Sequence, residues 1–278
     1  LFRSNYIKVH PMALLHPELV TNKEKRLELD KIIQGYNSGE EYFLDKLTYG
    51  VARIAAAFYP RPVIIRLSDF KSNEYRSLLG GQFFEPEEEN PMLGFRGASR
   101  YHHERYQDAF ALECAALKKM RDTMGLTNVI IMVPFVRTVS EAQAVIATMK
   151  NYGLERSKNG LEIYMMCEIP SNVLLIDQFS TIFDGFSIGS NDLTQMTLAL
   201  DRDSELVSHL FDERDEAVKM MLAMAIQGAI RNGKKIGICG QAPSDYPEVA
   251  QFLIEQGINS LSLNPDSVVK TLIQLTKN

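Results

Sequence analysis

Three cysteines, Cys114, Cys167 and Cys239, are all that the 278 residues carry. The number is odd and no pair has metal-clip spacing, which argues against a disulfide framework or a structural zinc site. No apolar run reaches the roughly 18–20 residues that a membrane span needs, so no membrane partner is expected. Positive charge is also short. The formal net charge is −5, whereas a nucleic-acid partner wants clustered Lys and Arg. No secretory signal is visible, and "LFRSNY" reads as the middle of a longer sequence, not a natural start. The five histidines, His10, His16, His102, His103 and His209, form no metal cluster in sequence. These absences leave a reducing cytoplasm as the expected location.

What is present is ordinary globular composition, 45% hydrophobic and 23% charged. The length suits one large α/β barrel or two ordinary domains. Six strand-like runs recur: "PVIIRLSD" (62–69), "NVIIMVP" (128–134), "LEIYMMCEIP" (161–170), "FDGFSIGSND" (183–192), "KIGICG" (235–240) and "NSLSLNP" (259–265). Most are nearly continuous apolar stretches, the pattern of strands buried on both faces of a parallel sheet. Helical patterns lie between them. Thr138 with Glu141 reads as a capping box opening a helix that ends near Gly153. "DERDEAVKMMLAMAIQGAIRNGK" is acidic first and basic last, and Gly233 can terminate it. "HHERYQDAFALECAALKKMRDTMG" reads as one long helix closed by Gly125. Repeated strand–helix units predict a (β/α)8 TIM barrel, one domain over residues 1–278, lacking its first strand or holding it at or before residue 1. "MLGFRGAS" (92–99) is the candidate for a short seventh strand. The region before residue 60 reads as helical, and the acidic stretch "EPEEENP" (85–91) as a solvated turn.

In such a barrel the C-terminal strand ends carry the chemistry. The polar residues closing the apolar runs are Arg66 and Asp69, Arg96, Glu168, Asn191 and Asp192, and Cys239. Glu168 and Asp192 follow neighbouring strands. Two hard oxygen ligands with room for water suit Mg²⁺ or Mn²⁺; the alternative is that each caps the following helix. Arg66 and Arg96 suit a carboxylate or phosphate, or else a strand-end ion pair with Asp69. Gly189-Ser190-Asn191-Asp192 opens a helix whose N–H groups can hold an anion, although Ser, Asn and Asp are also common N-caps. Cys114 and Cys167 sit among apolar residues and read as packing. Cys239 ends its strand at a glycine corner, and a thiol with an unperturbed pKa of about 8.5 can give and take a proton.

"VIIRLSDFKSNEYRSLLGG", "ENPMLGFRGASRY", "MVPFVRTVSEA", "MMCEIPSN", "FDGFSIGSNDLTQMTLALDRDS", "GICGQAPSD" and "SLSLNPDSV" occur in that order along nearly the whole chain. Together they resemble the C-terminal domain shared by phosphoenolpyruvate synthases (pyruvate, water dikinases), pyruvate phosphate dikinases and enzyme I of the sugar phosphotransferase system. "RLSDFKSNEY" and "GQAPSD" look like the synthase branch; the related enzymes have Gly-Glu where this chain has Gly240-Gln241.

The resemblance implies a barrel that binds pyruvate or phosphoenolpyruvate with Mg²⁺, Mn²⁺ being an alternative. It implies that Glu168 and Asp192 hold the metal and face the substrate. Arg66 and Arg96 would hold the phosphoryl group and substrate, Gly189, Ser190 and Asn191 would form the substrate loop, and Arg202 would be a further anion-facing arginine. Cys239 would be the proton donor and acceptor, with Gly240 leaving room for substrate beside it. It also implies a homodimer, and partner domains carrying a phosphohistidine and an ATP site. Neither a Gly-x-x-x-His-Ala-type motif nor a glycine-rich nucleotide loop occurs here. The chain is therefore expected to be one domain of a larger enzyme. The family's Arg-x-Glu on the first strand would precede Leu1, and Arg3 does not align with it. Rival expectations are a dikinase- or enzyme I-like domain, a metal-dependent pyruvate-enolate lyase on the same barrel, and a non-catalytic dimerisation module.

Overall fold

The computed structural model describes residues 7–275. The chain divides into two compact units. One is Leu1–Pro134 with Ser140–Glu162, the other Phe135–Val139 with Ile163–Asn278.

In the first unit, β1 (Val63–Arg66) and β2 (Val129–Val133) pair in parallel, Val63 opposite Val129 and Arg66 opposite Met132. The helix Gly39–Phe58 is set by its start. The Ser38 hydroxyl accepts from Glu41 N (3.1 Å), while Glu41 accepts from Asn37 N (2.8 Å). The first bond satisfies an N–H group that the helix leaves open, and the second ties the residue before the cap to the first turn. Phe43, Leu47, Val51 and Ala55 recur every four residues and are buried as one face. That face packs on the helix Gln107–Lys118, where Cys114 is fully buried, as read from the sequence.

In the second unit, four strands run parallel in chain order: β3 (Ile163–Cys167), β4 (Gly185–Ile188), β5 (Lys235–Ile238) and β6 (Ser260–Leu261). Tyr164 lies opposite Gly185, Gly185 opposite Lys235, and Gly237 opposite Ser260. Every residue of β3 and β4 is buried, which explains their unbroken apolar character. Helices Ser190–Leu198 and Glu216–Arg231 connect β4 to β5, and Pro247–Glu255 precedes β6. Asp215 caps the second of these by accepting from Ala217 N.

Among the described residues the fold is thus α/β with six parallel strands, one for each run read from the sequence. A closed eight-stranded barrel is not among the described residues, and the expected first strand and Arg3 lie outside them. Three expectations need correction. Residues 92–99 form no strand: the chain turns through Gly97 (φ +60°) into the short helix Ala98–Tyr101. The helix expected from His102 begins at Gln107, because the His103 ring accepts from Arg105 N and competes with helical bonding. The acidic stretch 85–91 is no mere solvated turn. Glu85 is buried against Arg100 and His10, and Glu88 accepts from Phe95 N and from the Ser72 hydroxyl. No described helix is long and apolar enough to cross a membrane.

Candidate active site

In the first unit the end of β1 presents a charged trio. The Asp69 carboxylate is buried and receives both forks of Arg96, Nε to Oδ1 and Nη2 to Oδ2, each at 2.9 Å. Arg66 Nη1 stands 3.4 Å from Oδ2 of the same carboxylate. The ion pair left open by the sequence is therefore present. Two guanidiniums thus converge on one carboxylate, with both arginine side chains nearly buried. The turn bearing Arg96 is pinned from several sides. Glu88 accepts from Phe95 N (2.9 Å), the Ser99 hydroxyl donates to Arg96 O (2.8 Å), and Ala98 N donates to Pro134 O (3.2 Å).

Behind that turn lies a buried charge network that sequence reasoning missed. Arg100 is fully buried and forks onto both oxygens of Glu85, with Nε donating to Phe95 O. Its guanidinium lies 4.3 Å from the Tyr75 ring centre and 4.4 Å from that of Phe95. His10 Nδ1 accepts from Met12 N, so the proton sits on Nε2, which donates to Glu85. Burial lowers the His10 pKa, against the opposing pull of Glu85.

Glu113 is the other missed carboxyl, on the helix Gln107–Lys118. Burial pushes it up to about 7, partly offset by hydrogen bonds from Ser68. A carboxyl raised in the folded state favours the protonated form there, so stability falls as pH rises from the unfolded value near 4.5 through the folded value near 7. The full loss is about 3 kcal/mol. His10 acts in the opposite direction, since a lowered folded pKa costs stability as pH falls below its ordinary value. Comparison of variants separates the two. Glu113→Gln should gain on the wild type as urea unfolding is moved from pH 5 to pH 7.5; parallel pH curves would refute this assignment.

In the second unit, Glu168 follows β3, is buried, and accepts from Phe135 N at 2.7 Å. Asp192 lies in the first turn of the helix Ser190–Leu198, also buried, with Arg202 Nη1 3.8 Å from Oδ1. An oxygen of Glu168 and one of Asp192 lie within 4.8 Å of each other. Two carboxylate oxygens at that separation could serve one cation together. The donor set, hard oxygens only, fits Mg²⁺ or Mn²⁺.

Two glycines make this packing possible. A Cβ at Gly189 would stand 2.6 Å from Glu168 Oε2, so only glycine lets the end of β4 approach that carboxylate. A Cβ at Gly240 would fall 1.7 Å from the Ser190 hydroxyl. The room expected there for substrate is therefore taken by Ser190, which the glycine after Cys239 admits to the end of β5. Glu213, read as part of a charged run, is buried beside that hydroxyl, and burial raises its pKa.

Cys239 continues β5, its N–H donating to Ile188 O (2.9 Å). It is half-buried, with Sγ 3.8 Å from Met166 Sδ. The other two thiols are buried, and burial raises both, that of Cys167 to about 12. Gln241 accepts from Asn264 Nδ2 (3.0 Å). Arg202 is part-exposed, its N–H donating to Gln195 Oε1. Asn191 sits in the same first helical turn as Asp192.

Comparison with known proteins gives a consistent result. Residues 22–278 match the family model described as PEP-utilising enzyme, PEP-binding domain. The chain is 61% identical over 275 residues to a phosphoenolpyruvate synthase of Synechocystis, covering 99% of this chain and 34% of that protein. It is 57% identical over 273 residues to the phosphoenolpyruvate synthase of Escherichia coli, covering 98% and 34% respectively. For that of Aquifex aeolicus the identity is 52% over 319 residues, covering 99% and 37%. The chain spans about a third of the length of the curated relatives it matches.

Proposed function

The chain belongs to the family of the PEP-binding domain of PEP-utilising enzymes, and from that membership we propose that it is the substrate domain of a phosphoenolpyruvate synthase. It binds pyruvate and phosphoenolpyruvate. In the whole enzyme a phosphoryl group passes from a phosphohistidine on another domain to the enol oxygen of pyruvate. The overall reaction converts ATP, pyruvate and water to AMP, phosphoenolpyruvate and phosphate. Cytoplasmic location and a homodimer belong to the same reading. The observation that carries it is the pair of buried carboxylates, Glu168 and Asp192, within 4.8 Å in the unit that also presents a half-buried thiol.

Each residue then has one task. Glu168 and Asp192 hold Mg²⁺ (or Mn²⁺), which supplies positive charge against the charge developing on the pyruvate oxygens. Arg66 and Arg96, oriented by Asp69, take the phosphoryl oxygens. Gly189, Ser190 and Asn191 form the substrate loop, and Arg202 adds positive charge. Cys239, starting as the thiolate, takes a proton from the methyl carbon and becomes the thiol, the C–H electrons passing into the enolate, and it returns that proton in the reverse direction.

Calorimetric titration of phosphoenolpyruvate with and without Mg²⁺ tests the assignment. The wild-type chain should bind only with Mg²⁺. In Glu168→Gln, which keeps the acceptor for Phe135 N but loses the charge, apparent Mg²⁺ affinity should fall at least tenfold, roughly the effect of one lost charge-assisted contact. Metal-independent binding, or an unchanged variant, would count against these ligands.

A further inference from the structure

We propose that Glu113 is a positioning residue for substrate binding: by gripping Ser68 at the end of β1 it fixes Asp69, and through Asp69 the forks of Arg66 and Arg96. The inference rests on the reading of those arginines as phosphate-binding groups.

Ser68 lies where the sheet no longer holds the chain. Just past the end of β1, Leu67 N donates to Met132 O of β2. One residue later, all three polar groups of Ser68 are taken by side chains. Its N–H donates to Glu113 Oε1 at 2.9 Å, its hydroxyl donates to the same oxygen at 3.0 Å, and its carbonyl accepts from the Tyr101 hydroxyl at 2.7 Å. The Tyr101 ring stacks on Phe110, centroids 4.4 Å apart. Phe110 and Glu113 are neighbours one turn apart on the helix Gln107–Lys118. One grip on Ser68 thus comes from that helix directly, and the other from Tyr101 of the short helix Ala98–Tyr101, whose ring rests on it through Phe110. Asp69 is the next residue, and its carboxylate orients Arg96 bidentately and Arg66 from 3.4 Å.

The fold does not require an acid at position 113. Ala109, Phe110, Ala116 and Leu117, its neighbours along that helix face, are all apolar and buried. An apolar residue would sit there without the desolvation penalty that a carboxyl bears. What the carboxyl supplies is a double acceptor aimed at one residue of the strand end. Glu113 has not been placed against substrate, so its effect runs through Ser68 and Asp69.

Three variants of the 278-residue chain test this by Mg²⁺-dependent phosphoenolpyruvate titration, with thermal midpoints measured alongside. Glu113→Gln retains an oxygen that can accept both bonds, and its affinity should stay within about threefold of wild type. Glu113→Leu keeps the volume and removes the acceptor, and its affinity should fall about tenfold or more although the chain remains folded. Ser68→Ala keeps the N–H bond and loses the other, and should fall between; it decides the matter if the Leu variant does not fold. Wild-type affinity in both Leu and Ala variants, or equal loss in Gln and Leu, overturns the proposal. If the wild-type chain binds no phosphoenolpyruvate, the functional reading fails separately. Amide hydrogen exchange at Ser68 and Asp69 then decides the positioning role. Exchange about tenfold faster in Glu113→Leu but not in Glu113→Gln supports it, and unchanged exchange overturns it.

Discussion

Cys239→Ala is expected to slow Mg²⁺-dependent exchange of the pyruvate methyl protons into deuterated water by at least about 100-fold, the usual scale for loss of a positioned acid–base group. Affinity for pyruvate should change little. Exchange needs only substrate binding and one proton transfer, so it can be read on this chain without a phosphohistidine or ATP. The expectation rests on placement. Cys239 is half-buried at the end of β5, whereas Cys114 and Cys167 are buried with raised thiol pKa values that keep them protonated. Serine at 239 should not rescue, because an alcohol is a far weaker acid than a thiol near neutral pH. Loss of the methyl signal in proton NMR gives the rate directly. A Cys239→Ala rate equal to wild type would remove the thiol from the mechanism and leave the binding groups intact.

Much of this arrangement is legible in the sequence, for a definite reason. β3 and β4 are buried at every position, so their sequences are unbroken apolar runs that stop where the polar rim begins. Glu168, Asp192, Cys239 and Arg66 could be picked out because each stands where such a run ends. Arg96 was picked out in the same way, although the segment around it proves to be a turn and not a strand. What stayed hidden was pairing across long sequence separations. Glu85 looks solvated in "EPEEENP", yet its partners are 15 and 75 residues away at Arg100 and His10. Composition can describe that stretch but cannot say which carboxylate turns inward. Glu113 did leave a signal, as the lone acid in the otherwise apolar "FALECAAL". Such a residue on a buried helix face has to find a partner. Ser190 and Gly240 left none, because their contact joins the ends of two strands and depends on the missing Cβ.

The same hidden pairing sets the largest stability effect. Glu85→Ala should destabilise the chain by about 3–5 kcal/mol, because it leaves Arg100 charged, buried and without its bidentate partner. That is a large share of the roughly 5–15 kcal/mol that holds a typical native fold. The aromatic rings around Arg100 soften the loss without replacing the carboxylate, since a cation–π contact contributes about 0.5–2 kcal/mol. Removing both charges should cost less than removing one. In Glu85→Leu/Arg100→Met no unpaired ion remains, and a buried ion pair is often no more stabilising than well-packed apolar side chains. His10 adds a second asymmetry. With Glu85 gone its Nε2–H loses its acceptor, and a combined His10→Phe change should recover part of the deficit, because the ring already stacks on Phe84 with centroids 5.5 Å apart. Urea midpoints of the single, double and triple variants give the ranking. A single Glu85→Ala variant no less stable than the double would mean that Arg100 reaches water or another anion, and the dry network would have to be redrawn. If the ranking holds, phosphoenolpyruvate affinity should follow it only weakly in the double variant. The turn carrying Arg96 loses the Arg100 bond to Phe95 O in that variant but keeps its bonds to Glu88 and Pro134.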